Sequence, residues 1–169
     1  VSRLFGVAPT RFAVEAPALS AGLLVRAAVL AGLCGILSVV FCGTIRLTEH
    51  QLHKRVPNPW LRVLAGGCAV IALTWLWGTT DYNGAGMGVI AAAVEQGSVR
   101  PEAFLCKIIL TAVTLAAGFK GGEVVPSFFV GAAFGCFAGP LLGLPAGFAA
   151  ALGLVSVFCG ATNCPLASI

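Results

Sequence analysis

Glu123 follows the pair Gly121-Gly122 and precedes Val124-Val125-Pro126, and from Val124 to Ile169 the chain carries no Lys, Arg, Asp or Glu. Two glycines, a carboxylate and a proline at the mouth of so apolar a stretch suit one kind of chemistry. In lipid every backbone polar group needs an internal partner, and an ionisable side chain is costly. A helix that starts here has unpaired N–H groups and the positive end of its dipole, which together attract an anion. The arrangement points to an ion pathway. Glu123 repels a permanently bound anion when charged, yet it can carry a proton and donate a hydrogen bond when neutral. The structural alternative is a helix-start carboxylate stabilised by the dipole and paired with Lys120.

Other residue types capable of chemistry carry less. Glu49, His50 and His53 include metal-ligating types, but their order is not that of the zinc-protease helices and they sit in a basic juxtamembrane segment. Gly84, Gly86 and Gly88 alternate as in a phosphate loop, without the following Lys-Ser/Thr that such a loop uses. Lys107, one turn inside an apolar helix, is expected to snorkel to the membrane interface. Asn163 suits the cap of a helix opening at Pro165. The seven cysteines (34, 42, 68, 106, 136, 159 and 164) have no paired spacing and read as small lipophilic packing residues. No metal and no cofactor is expected.

The elements that must position these groups are membrane elements. The chain is 59% hydrophobic and 9% charged, against roughly 25% charged in an ordinary soluble domain. So few charges cannot cover a soluble surface of this size. The net charge of +4 lies partly in a cluster between Arg46 and Arg62, and no run resembles a nucleic-acid patch. The chain begins at Val1 rather than Met and stops at Ile169 just after Pro165. Both ends read as cut, and the chain is expected to be part of a larger membrane protein.

Residues 1–21 read as a connector or interfacial piece and residues 22–169 as the membrane domain. The uncharged part of the first span, residues 27–45, matches the ~20 residues that cross the hydrocarbon core. Residues 46–62, with Arg46, Lys54, Arg55 and Arg62 against Glu49, are expected to form a cytoplasmic loop. Residues 63–80 form a second run ending at Trp75 and Trp77. The Gly-rich stretch 81–88 leads into residues 89–94, too short to span and therefore a re-entrant or interfacial half-helix. A helix then runs from Pro101 and Glu102 to Ala117. After the turn at Gly121 and Gly122 the sequence predicts short helices over 127–139, limited by Pro140, and over 146–158, then a third opening at Pro165. Helices of ~13 residues reach about 20 Å, short of a ~30 Å core. Such broken helices mark transporters and channels whose site lies near the midplane. Glycines 131, 135, 139, 143 and 147 recur every fourth residue; Pro140 and Pro145 leave only the first three on one face, as a packing stripe.

The run GFKGGEVVPSFFVGAAFG (118–135) resembles the CLC family of chloride channels and anion/proton antiporters. The family pattern is Gly-Gly, a variable residue, an aromatic, a variable residue, Pro, then Gly-Ala. Gly121, Gly122, Pro126, Gly131 and Ala132 fit it, while Val124 stands where many members have Phe. Residues 160–166 (GATNCPL) resemble a later helix start of the family, and Tyr82-Asn83-Gly84-Ala85-Gly86 with Ile90 the Gly-rich lead-in to an earlier one. The resemblance runs from about residue 22 onward and lies within the second of the family's two inverted repeats.

It implies an all-α, polytopic membrane protein with discontinuous, re-entrant helices, of which this chain is the second half. It also implies a homodimer with a separate pathway in each subunit, the anion being held by backbone N–H groups at helix starts. Matched residue by residue, Gly121, Gly122, Glu123, Val124 and Val125 would bind the anion, supported by Lys120, Pro126 and Asn163. The family's gating glutamate, its serine-bearing loop and its pore tyrosine have no counterpart here; Tyr82 does not match the last. By that implication the isolated chain does not conduct. Chloride-type members usually carry an apolar residue at position 123. Gly-Gly-Glu-Val resembles instead the fluoride/proton antiporter branch, which makes Glu123 the candidate for proton coupling.

The expectation is therefore halide transport in the plasma membrane, with fluoride/proton antiport preferred and chloride passage close behind. Chloride or fluoride, protons and the bilayer are the expected partners, and nucleic acid is not. A membrane-embedded metalloenzyme using Glu49, His50 and His53, and a non-conducting scaffold, are the alternatives.

Overall fold

The computed structural model describes residues 20–164 together with 14, 17 and 18, and among them every regular element is helical. Helix α1 (Ala21–Arg55) starts where Ser20 accepts a hydrogen bond from the Leu23 amide at 3.2 Å, and it ends in Lys54 and Arg55, cations that suit the negative end of the dipole. Helix α2 (Pro59–Trp77) opens on Pro59 behind an Asn58 cap. Helix α3 (Met87–Gln96) is α-helical over Met87–Ala91 and widens to a π-helical turn over Ala92–Gln96. Three more follow: α4 (Ala103–Ala117), α5 (Val124–Leu141) and α6 (Ala146–Thr162).

Three helices, α1, α2 and α5, are long and apolar enough to cross a membrane, whereas α3, α4 and α6 are shorter. The short residues 89–94 thus form part of a half-helix, as expected. Several boundaries differ from the sequence expectation. The segment 46–55 is not a loop: α1 continues through it to Arg55, and its 35 residues reach about 52 Å at 1.5 Å per residue. Nothing breaks the helix before Pro57. Thr44 and Thr48 satisfy their hydroxyls on the carbonyls of Val40 and Thr44 within the same helix.

Helix α5 has 18 residues rather than about 13. Pro126 falls in its first turn, where no N–H is needed, and Pro140 in its last, where Leu142 N bonds back to Ala138 and Gly139. Helix α6 runs to Thr162 and closes on Asn163, whose φ of 54° is the left-handed conformation of a C-cap. The helix expected from Pro165 and most of the 1–21 connector lie outside the described residues.

Helices α5 and α6 form the most extensive pair. A Cβ on Gly131 would meet the backbone of Gly153 and Leu154, one on Gly135 the backbone of Ala149 and Ala150, and one on Gly139 the Ala149 methyl. The first three glycines of the stripe therefore do share a face, and Gly153 returns the contact from α6. Helix α1 lies across α4 and α6, and α2 packs on α4. Leu30, Cys34, Phe41, Val130, Ala149 and Val157 are buried where α1 meets α5 and α6. Ile90, Ala93, Phe129, Ala132 and Cys136 are buried between α3 and α5.

The outer faces are apolar. Trp60, Trp75, Leu64 and Ile71 of α2 are 84%, 86%, 66% and 71% exposed, and Ile36 and Val39 of α1 are 65% and 72% exposed. Lipid or further protein must cover them.

The glycine seam generates a stability prediction. In the intact protein, Gly135→Val drives a side chain into the Ala149 backbone, which cannot rotate aside. It should exceed the ~1–3 kcal/mol typical of overpacked cores. A thermal melt of the detergent-solubilised variant checks this: a midpoint equal to wild type would show that the seam is not a close contact.

Candidate anion site

The turn before α5 is built by the end of α4. Gly118 caps that helix at φ 98°, its N–H bonding to Leu115 O at 3.0 Å, and Phe119 N follows onto Thr114 O. This reverses the chain and leaves residues 120–123 as an exposed connection. The first helical hydrogen bond of α5 is Ser127 N to Glu123 O, at 3.0 Å. The amides of Val124 and Val125 therefore precede the repeating ladder, and Pro126 has none to offer. Among the described residues, no backbone acceptor takes the N–H of Gly121, Gly122, Glu123, Val124 or Val125.

A cavity of about 370 Å³ lies against this helix start. Gly121, Gly122, Val124, Val125 and Pro126 form one wall; Lys107, Leu110, Thr111, Thr114 and Leu115 on α4 form another; Tyr82, Gly84 and Ala85 complete it. The five expected binding positions are thus adjacent at one helix start, and four of them line a cavity. Glu123 is the exception. It sits at the N-cap with backbone dihedrals in the right-handed region, is exposed, makes no cap hydrogen bond, and is not among the lining residues. Lys120 is likewise exposed in the turn. Asn163 is a C-cap of α6, and the helix it was expected to open is not described.

Lys107 departs from expectation most. Instead of snorkelling it is 3% exposed, its ammonium donating to Tyr82 O at 2.8 Å and to Gly84 O at 2.6 Å. The same nitrogen stands 5.0 Å from the centroid of the Phe129 ring on α5. The reason lies in the preceding loop. Gly84 and Gly86 adopt φ of 56° and 65°, which turns the backbone without a repeating ladder and leaves carbonyls needing donors. At Gly86 an added Cβ would approach Phe129 to 2.5 Å, so the loop also lies tight on α5. Tyr82 is wedged edge-on between Trp77 and Phe129, with centroids 5.9 and 6.3 Å away. A lone lysine in an apolar helix and a Gly-rich loop were both visible in the sequence. Their partnership across 23 residues was not.

At the end of α1, His53 Nδ1 lies 2.9 Å from Glu49 O of its own helix. No group of three or more His, Cys, Asp or Glu side chains among the described residues could hold a metal ion. The metalloenzyme alternative loses its site. Cys34, Cys106 and Cys136 are buried in apolar packing.

Chemically, the arrangement is a set of amide donors at a positive helix end, beside a cavity lined by Lys107 and by no Asp or Glu. Such donors suit a small anion.

Residues 1–169 match the model of the voltage gated chloride channel family. A relative from Pseudomonas syringae pv. tomato, the "Chloride/fluoride channel protein", is 36% identical over 151 residues, covering 86% of this chain and 33% of the relative. The crystal structure of a CLC-type fluoride/proton antiporter superposes with a TM-score of 0.87 at 32% identity, covering 95% of this chain and 41% of that one. The chain therefore spans about a third of the length of the curated relative it matches. Its broken apolar helices make it part of an integral membrane protein. By a match along its whole length and an all-helical fold shared with a solved member, this chain belongs to the voltage gated chloride channel (CLC) family.

Proposed function

We propose that the chain is the second-repeat part of a CLC-type transporter, a conductor of ions rather than an enzyme, which moves a halide through the cavity at the start of α5. The observation that carries this reading is the row of amides from Gly121 to Val125 without acceptors, four of whose residues line a cavity free of carboxylates. A desolvated halide needs donors, and backbone amides supply them without a mobile counter-charge that would trap it. In this reading Lys120 and Pro126 shape the helix start and Asn163 the next one. The assembled protein is a homodimer in the plasma membrane, with one pathway per subunit. It binds no nucleic acid and needs no metal or cofactor.

Fluoride/proton antiport is the preferred subtype. Its support is the acid at position 123 and the similarity to proteins described as a chloride/fluoride channel and as a fluoride/proton antiporter. Glu123 then carries the proton. A second reading, halide passage without a proton role for Glu123, draws support from the exposure of that side chain and its absence from the cavity wall.

Two measurements on the intact protein in liposomes test these statements. Val124→Pro removes one donor at the first helical position, where helices accept proline, but it also disfavours the right-handed conformation of Glu123 before it, so a thermal melt must first show that the variant folds. A lost hydrogen bond to a charged partner costs ~1.5–3 kcal/mol, so the half-saturating halide concentration should rise roughly 10- to 100-fold. A folded variant with wild-type halide dependence would remove the amides from the pathway. Glu123→Gln should leave fluoride flux measurable but cut the accompanying proton movement by about tenfold or more. Coupled flux equal to wild type would favour the second reading.

A further inference from the structure

We propose that Lys107 is the fixed counter-charge of the cavity at the start of α5, the cation that lets it accept one monovalent anion. The proposal rests on the reading of that cavity as an anion site and adds to it a residue that the amide argument does not require.

A lysine in a membrane helix ordinarily reaches for the interface, because a buried ammonium is costly. Lys107 is 3% exposed and turned inward, held by the Tyr82 and Gly84 carbonyls and the face of Phe129. These partners are two dipoles and a ring quadrupole. They solvate the ammonium without neutralising it, and no carboxylate among the described residues bonds to it. When protonated, Lys107 places a positive charge in an apolar wall with no carboxylate among the described residues bonded to it. Lys107 lines the same cavity as Gly122 and Val125.

The consequences follow from the local dielectric. Away from water a single positive charge acts on an ion several ångströms off far more strongly than it would in solvent. An ammonium has three donors, and two are taken by carbonyls. Those carbonyls also temper the charge, which keeps binding weak enough for release. The tether has a second effect, since it pins the Gly-rich loop that forms one wall of the cavity. Charge and tether are separable: Lys107→Gln keeps a donor and loses the charge, while Lys107→Arg keeps both.

The test uses the intact protein in liposomes, with fluoride and chloride flux measured against anion concentration and folding followed by thermal melting. K107Q should raise the half-saturating concentration about tenfold or more, with the saturated rate within about threefold of wild type, and K107R should restore anion dependence. A folded K107Q with unchanged half-saturation overturns the proposal, as does K107R losing affinity as fully as K107Q. Should K107Q fail to fold, wild-type protein labelled with ¹⁵N-lysine answers the same question. The Lys107 ammonium resonance, assigned by its loss in K107R, should shift on titration with sodium fluoride; a resonance that stays fixed while the protein transports overturns the proposal. Wild type that moves neither halide overturns the anion-site reading and this proposal with it. Active wild type with an indifferent K107Q overturns the role of Lys107 alone.

Discussion

A helix start leaves backbone N–H groups without intrahelical acceptors, and at α5 no backbone acceptor among the described residues takes those from Gly121 to Val125. In a soluble protein water would fill that need at little cost. Here the helix start belongs to a chain that is 59% hydrophobic, and four of the five exposed residues from Gly121 to Val125 line a cavity. No side chain closes it, since Glu123 stands at the N-cap without bonding to it. The rest of the described architecture can be understood as the means of holding that start in place.

Two features do the holding. The glycines of α5 let α6 approach until backbone nearly touches backbone, so α5 cannot shift along or away from its neighbour without losing the seam. On the opposite side, Phe129 meets Tyr82 and the Lys107 ammonium, tying the first turns of α5 to α4 and to the Gly-rich loop. The helix start is thereby positioned from both flanks by contacts too close to admit an extra methyl group at Gly86 or Gly135.

The electrostatics match. The first residues of α5 and Lys107 line one cavity, and Glu123 is outside its wall. In the proposed reading the positive potential comes from a helix end and one buried lysine rather than from a cluster of surface cations, the net charge being only +4. What counts is where desolvated charge sits rather than how much the chain carries.

Composition and local spacing made the membrane class, the family motif at Gly121, Gly122 and Pro126, the half-helix near Ile90 and the three-glycine face legible without coordinates, because each depends on residues close together in the chain. Helix ends were less legible. Pro140 reads as a stop, yet a last-turn proline forfeits a bond that the end of a helix hardly needs, so α5 runs to Leu141. The basic stretch after Ile45 reads as a loop, although charged residues extend a helix as readily as they end one, and α1 continues to Arg55. Lys107 was misread for a deeper reason: whether a lysine snorkels or turns inward depends on what lies across from it. The carbonyls of Tyr82 and Gly84 are brought there only when α4 packs beside the loop. The sequence by itself determined which backbone groups would lack partners; tertiary packing alone decided which cavity their residues line and that Lys107 lines it too, because those are distances between segments and no local pattern encodes them.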